Sequence, residues 1–213
     1  MILLEMKEIT LNYGEKELIL EVVKNLEDLV EDPTDEDQIP CWAEVWPAAR
    51  ALAQFVSRYI EIEQNTSILE LGAGMGLPGM VAAAKGADVV LTDYQPKALA
   101  LAERNISKNN LSGISTQLAD WRNFTLCEKF DIILASDVLY DPKFFDYLYK
   151  IIENNLKLGG RLLASHPGRK DTFDFLDGLK QRLTINEVVH VMNIEIDDPL
   201  FPHYRIRIHD LKR

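Results

Sequence analysis

Glu70-Leu71-Gly72-Ala73-Gly74-Met75-Gly76 is the stretch that decides the fold. A short apolar run, Ser67–Leu71, enters this glycine-rich turn, which hands over to a helical segment, Leu77–Lys85. Glycine lets the backbone turn sharply and approach a ligand closely, and the following helix aims the positive end of its dipole at the same place. Outward from this turn the alternation continues. Asp88–Thr92 reads as a strand, Pro96–Asn109 as a helix, and Ile114–Leu118 and Asp131–Ser136 as strands. Pro142–Leu156 reads as a helix closed by Gly159-Gly160, Arg161–Ser165 as a strand and Asp171–Arg182 as a helix. The last two alternating runs, Ile185–Ile196 and Tyr204–Asp210, have a hairpin pattern. The predicted fold class is α/β: a doubly wound, mostly parallel seven-stranded sheet with a C-terminal antiparallel hairpin.

Upstream, Lys7–Tyr13 reads as a short strand. Leu18, Val22, Leu26 and Leu29 stand at helical spacing and predict an amphipathic helix over Glu15–Glu31. Asp32–Asp37 is a charged loop, and Pro47 opens a helix over Ala48–Tyr59 from the favoured first position. The expected division is an acidic strand/helix extension, 1–46, before a main domain, 47–213.

The 213 residues carry a net charge of −11, unevenly placed. Residues 1–41 hold three lysines against twelve acidic residues, a net of −9, and the remainder is nearly balanced at −2. Such a chain repels phosphate backbones, so no nucleic-acid partner is expected. The acidic segment would attract a basic partner or serve as a solvated face. Apolar runs such as Ile132–Ala135 are too short to span a bilayer, so no membrane is expected. Glu5, Lys7 and Glu8 interrupt the apolar start, which argues against a signal peptide. Cys41 and Cys127 have no second cysteine nearby, which fits a reducing, cytoplasmic setting. The four histidines show no metal-ligand spacing, so no metal is expected. His166 follows the fifth strand, where it could border the substrate pocket, and reads more simply as a loop histidine. A monomer is favoured.

Candidate site residues follow the strand ends, where ligands bind in such sheets. The glycine spacing is G-x-G-x-G, and Leu77 stands where the dinucleotide fingerprint needs a further glycine. Asp93 ends the second strand, 21 residues after Gly72, where an acidic side chain accepts from both ribose hydroxyls of an adenosine ligand. Asp120 could accept from an adenine amine, and Trp121 could pack on the ring. Ser136 would lie beneath the ligand, with Asp137 and Tyr140 facing a second substrate. Taken singly, each also reads as a capping carboxylate or a packed aromatic.

Together these features resemble the class I, seven-strand methyltransferases, whose Rossmann-like fold uses S-adenosylmethionine. Trp42-Ala43-Glu44-Val45-Trp46-Pro47, Glu70–Gly79 reading E-L-G-A-G-M-G-L-P-G, Leu91-Thr92-Asp93-Tyr94 and the D-x-x-Y set from Asp137 to Tyr140 are similar to the family 16 protein-lysine methyltransferases. The resemblance implies cofactor contacts from Trp46, Gly72, Ala73, Gly74, Asp93, Trp121 and Ser136, and Glu70 and Asp120 are counted as further candidate cofactor contacts. It implies an acceptor pocket and the catalytic roles for Asp137 and Tyr140, and a protein substrate presenting a lysine. Cys41 stands where an aromatic residue is common, and Glu44 either faces the pocket mouth or caps the helix after Pro47.

A lysine amine at neutral pH is mostly protonated and must lose a proton before it can attack. Asp137 is therefore expected to orient the amine rather than to create the nucleophile, since a carboxylate beside an amine favours its charged form. Three other readings compete. A small-molecule amine methyltransferase would share the fold, Leu77 argues against a nicotinamide-dependent oxidoreductase, and the intact loop, Asp93 and Asp137 argue against a non-catalytic binding protein.

Overall fold

The computed structural model describes residues 5–14, 16–29 and 40–213. Two antiparallel strands come first, β1 (Met6–Tyr13) and β2 (Lys16–Val23), and helix α1 (Pro47–Tyr59) follows. The alternation then runs β3 (Ser67–Leu71), α2 (Leu77–Ala84), β4 (Asp88–Asp93), α3 (Pro96–Lys108), β5 (Ile114–Leu118) and β6 (Phe130–Ser136). It continues with α4 (Phe145–Asn155), β7 (Leu156–His166), α5 (Lys170–Arg182), β8 (Asn186–Glu195) and β9 (His203–Lys212).

Seven strands form one sheet in the order β5-β4-β3-β6-β7-β9-β8. β3 pairs in parallel with β4 on one side and β6 on the other, so the strand order reverses there. β9 inserts antiparallel between β7 and β8, as the terminal hairpin pattern predicts. Neighbouring residues on a strand face opposite sides. Ile68, Ile132, Leu134 and Leu163 join the core under α1, α2 and α3. Leu69, Leu71, Ile133, Ala135 and Leu162 join the one under α4 and α5. The doubly wound sheet is thus covered on both faces. α4 stops at Asn155, before the predicted Leu156, which is already extended backbone at the start of β7.

The N-terminal region differs from its reading. Lys7–Tyr13 is a strand, but the predicted helix over Glu15–Glu31 is instead β2, followed by a 3-10 turn at Leu26–Leu29. Leu18 and Val22 fit both periods, and Leu20 between them decides: all three are buried, with Glu17, Ile19 and Glu21 turned outward in alternation. The Asp32–Asp37 loop lies outside the described residues. The outer edge of β2 is covered by two side-chain amides one turn apart, Asn105 on α3 and Asn109 at its C-cap. Asn105 accepts from the Glu21 amide at 2.7 Å and donates to the Glu21 carbonyl at 3.1 Å. Asn109 accepts from the Ile19 amide at 2.9 Å and donates to its carbonyl at 2.8 Å. These amides take the place of a further strand and satisfy backbone groups that an edge leaves open.

Candidate active site

A cavity of about 310 Å³ opens where β3, β4 and β6 end. Its first wall is the glycine turn beyond β3, braced against β4. The Ala73 amide donates to the Thr92 carbonyl at 2.9 Å, and the Gly74 amide donates to the Asp93 carboxylate, also at 2.9 Å. Gly72 has φ +58°, and a Cβ there would lie 2.8 Å from Val138 Cγ1, so glycine lets the loop beyond β6 close against the turn. Gly74 has φ +53°, and its Cβ would meet the Trp42 backbone at 3.4 Å, so the segment before α1 packs directly over the turn. Asp93 is buried and also accepts from the Gln95 amide at 2.9 Å. Burial pushes its carboxyl up, opposed by these backbone bonds. Each oxygen retains acceptor capacity toward the cavity.

The second wall carries charge. Asp137 has φ +52°, uncommon for a residue with a side chain, and its amide donates to the Ser165 carbonyl at 2.8 Å. Arg169, just beyond β7, donates to both Asp137 oxygens, at 2.7 and 2.9 Å. The guanidinium also lies over the Tyr140 ring, 5.5 Å from its centroid. Arg169 carried no motif in the sequence. The available signal was that it follows a parallel strand at the same sheet end as Asp137.

Trp46, Gly72, Ala73, Gly74, Asp93, Ser136, Asp137 and Tyr140 line the cavity, as do Cys41 and Glu44 at its mouth. Trp46 itself occupies the N-cap position of α1, which has no side-chain cap, so Glu44 faces the cavity and does not cap the helix. The Trp46 indole donates to the Cys41 carbonyl at 2.7 Å and fixes the entrance segment.

Three expected cofactor contacts do not line the cavity. Glu70 is buried beneath the turn, where its carboxyl oxygen accepts from the Gly79 amide at 2.8 Å and ties α2 to β3. Burial pushes its pKa up to about 8. Asp120 accepts from the Arg122 amide at 2.9 Å and pairs with the Arg122 guanidinium, which keeps its carboxyl below the usual range. Trp121 packs edge-on against Phe144, ring centroids 5.3 Å apart, and its indole would lie 3.2 Å from a Cβ at Gly72.

His166 is the last residue of β7 and fully buried, not a loop residue. Its Nδ1 accepts from the amides of Gly168 at 3.3 Å and Arg169 at 3.1 Å, which leaves its proton on Nε2. Nε2 donates to His209 Nε2 at 3.0 Å, and His209 Nδ1 donates to Glu187 at 2.6 Å. Burial, then His209, pushes His166 down to about 4, so it is neutral at pH 7. This buried chain fixes the backbone that carries Arg169.

The architecture is the Rossmann-like fold of class I methyltransferases. It matches the N-methyltransferase NodS of Bradyrhizobium japonicum with TM-score 0.53 and 19% identity, over 70% of this chain and 86% of that one. It matches precorrin 8w decarboxylase of Methanobacterium thermoautotrophicum with TM-score 0.59 and 16% identity, over 89% and 95% of the two chains. The chain belongs to the lysine methyltransferase family, which it matches over residues 28–182. It is 32% identical to protein N-lysine methyltransferase METTL21A of Xenopus tropicalis, over 78% of this chain and 80% of that one. It is 31% identical to the electron transfer flavoprotein beta subunit lysine methyltransferase of Rattus norvegicus, over 61% and 51% of the two chains. It is also 35% identical to human histone-arginine methyltransferase METTL23, over 54% and 65%. The protein is a methyltransferase, and its fold and family imply the use of S-adenosylmethionine.

Proposed function

We propose that this enzyme methylates a lysine side chain of a protein substrate, with Asp137 and Tyr140 forming the acceptor site. The carrying observation is that these two residues, both contacted by the Arg169 guanidinium, form a charged and aromatic wall of the cavity that the glycine turn and Asp93 also line. That cavity falls in the range of small-molecule sites, roughly 300–1,000 Å³.

The residues fit S-adenosylmethionine. Asp93 offers a buried acceptor pair to a ribose, Gly72 and Gly74 in the turn allow close approach, and Trp46 and Ser136 add to the lining. When bound, the cofactor supplies a methyl group already activated on a sulfonium. The chain's own task is to bind and orient. Asp137 accepts an N–H of the acceptor amine and directs its lone pair, while the Tyr140 ring packs against the lysine stem. The amine proton leaves to water, and the neutral nitrogen is then presented to the methyl group that the bound cofactor would supply, with the thioether as the leaving group. The free thiols Cys41 and Cys127, both exposed, support a cytoplasmic setting for this activity.

The test is incubation with radiolabelled S-adenosylmethionine and a lysate of the host, followed by a denaturing gel and hydrolysis of the labelled protein. Methyl-lysine in a discrete band, absent with Asp93→Ala, supports the reading. Label confined to small molecules replaces it with a small-molecule amine acceptor, and label on arginine replaces it with a guanidinium acceptor.

A further inference from the structure

The Asp137–Arg169 pair differs from an ordinary surface contact because both backbones are pinned. Asp137 holds a left-handed backbone tied to Ser165, and the Arg169 amide is tied to His166, itself held through His209 to Glu187. Gly168 turns between them at φ +112°, a conformation open to glycine. The Asp137 side chain is 10% exposed and that of Arg169 43%, and both line the cavity.

A lone carboxylate here would take a lysine side chain as its ammonium, which has no lone pair to attack with. A carboxylate already neutralised by a guanidinium keeps acceptor capacity for an N–H but no longer rewards the extra proton. Arginine does this permanently, because it does not titrate in the working range. We propose that Arg169 is a specificity-determining residue of the acceptor site, staying paired with Asp137 during the reaction and holding the incoming lysine amine in its neutral, nucleophilic form. This rests on the amine-transfer reading above. It also defines the substrate class as a primary amine, whose surplus proton goes to water. A guanidinium acceptor would retain its charge and compete with Arg169 for the same carboxylate.

The surrounding titratable groups do not duplicate this role. Cys41 and Glu44 approach from the segment before α1, Asp93 and Tyr94 from the end of β4, and Tyr140 and Asp141 from beyond β6. His166, with Arg207 from β9 near it, stays neutral behind the Arg169 backbone. Burial pushes the Cys41 thiol and the Tyr140 phenol up, so both are uncharged at neutral pH. Among the described residues, Arg169 is the cation that touches Asp137.

The test uses n-butylamine, a lysine side chain without its backbone, labelled with nitrogen-15. It is titrated by NMR on the full chain with S-adenosylhomocysteine present, so that no methyl is transferred. In the wild type the bound amine should lose its proton at lower pH than in solution. Arg169→Met should raise that midpoint by about one unit or more, and Arg169→Lys, which keeps the charge, should restore most of the difference. Unchanged S-adenosylhomocysteine affinity in both variants establishes that the fold is intact. Equal midpoints in wild type and Arg169→Met overturn the proposal. Faster methylation of protein lysines by Arg169→Met at an unchanged midpoint also overturns it, because the guanidinium would then be only an obstacle. Probe binding that is absent, or that is indifferent to Asp137→Ala, defeats the amine-acceptor reading itself, and the inference falls with it.

Discussion

On the β3–β4 side the cavity wall is made of backbone: a glycine turn whose amides are spent on Thr92 and Asp93, with one carboxylate aimed inward. On the β6–β7 side it is made of side-chain charge, drawn from residues 32 positions apart in the chain. The first wall suits a ligand whose shape is fixed, because its positions are set by φ and by the absence of Cβ atoms. The second can choose between ligands by charge, because a carboxylate and a guanidinium set the local potential. A methyltransferase needs both: a constant methyl donor on one side and a selected acceptor on the other.

Separate variants should break each wall alone. The largest effect is expected at Asp137→Ala, where loss of the orienting acceptor should lower methyl transfer roughly 10²–10³-fold. Steady-state transfer to the identified substrate measures it, and near-normal turnover would remove Asp137 from the acceptor site. Asp93→Ala should weaken S-adenosylhomocysteine binding about 100-fold through two lost charge-assisted hydrogen bonds, as calorimetry would show. An affinity close to wild type would mean that the ribose lies elsewhere.

Glu70 sharpens the comparison, since it serves the first wall from below. Its pKa in the folded state, about 8, lies above the ordinary value of 4.5, so folding favours its protonated form. The stability this gives is complete below the ordinary value and is lost as pH rises through 8. Wild type should therefore lose about 2 kcal/mol more stability than Glu70→Gln between pH 6 and pH 8. Denaturant unfolding at the two pH values checks this, and parallel curves would contradict it. The smallest effect is expected away from both walls. Asn105→Ala leaves the Glu21 amide and carbonyl on β2 without their partner and should cost about 1–2 kcal/mol of stability with little change in cofactor affinity.

The two walls also differed in how far they could be read from sequence. Gly72, Gly74, Asp93, Ser136, Asp137 and Tyr140 all stand at or just beyond the ends of strands whose alternation was plain, and a doubly wound sheet brings such ends together. Asp120 and Trp121 follow a strand in the same way, yet neither reaches the cavity. A bond to the Arg122 amide and a ring contact with Phe144 turn them aside, and neither is visible as a spacing. Arg169 escaped because its meaning is relational: it depends on a facing carboxylate, not on its neighbours in the chain. In β2, Leu18 and Val22 satisfy two periods at once, and the register with β1 made Leu20 the informative residue.

The most direct measurement determines S-adenosylhomocysteine affinity and methyl transfer on the same preparations of wild type, Asp93→Ala and Asp137→Ala. Separate walls predict that Asp93→Ala loses cofactor affinity, whereas Asp137→Ala binds S-adenosylhomocysteine within about 3-fold of wild type, less than one kcal/mol, yet transfers almost no methyl. If Asp137→Ala lost cofactor binding in proportion to transfer, the cavity would be a single binding surface and the division of labour proposed for it would be wrong.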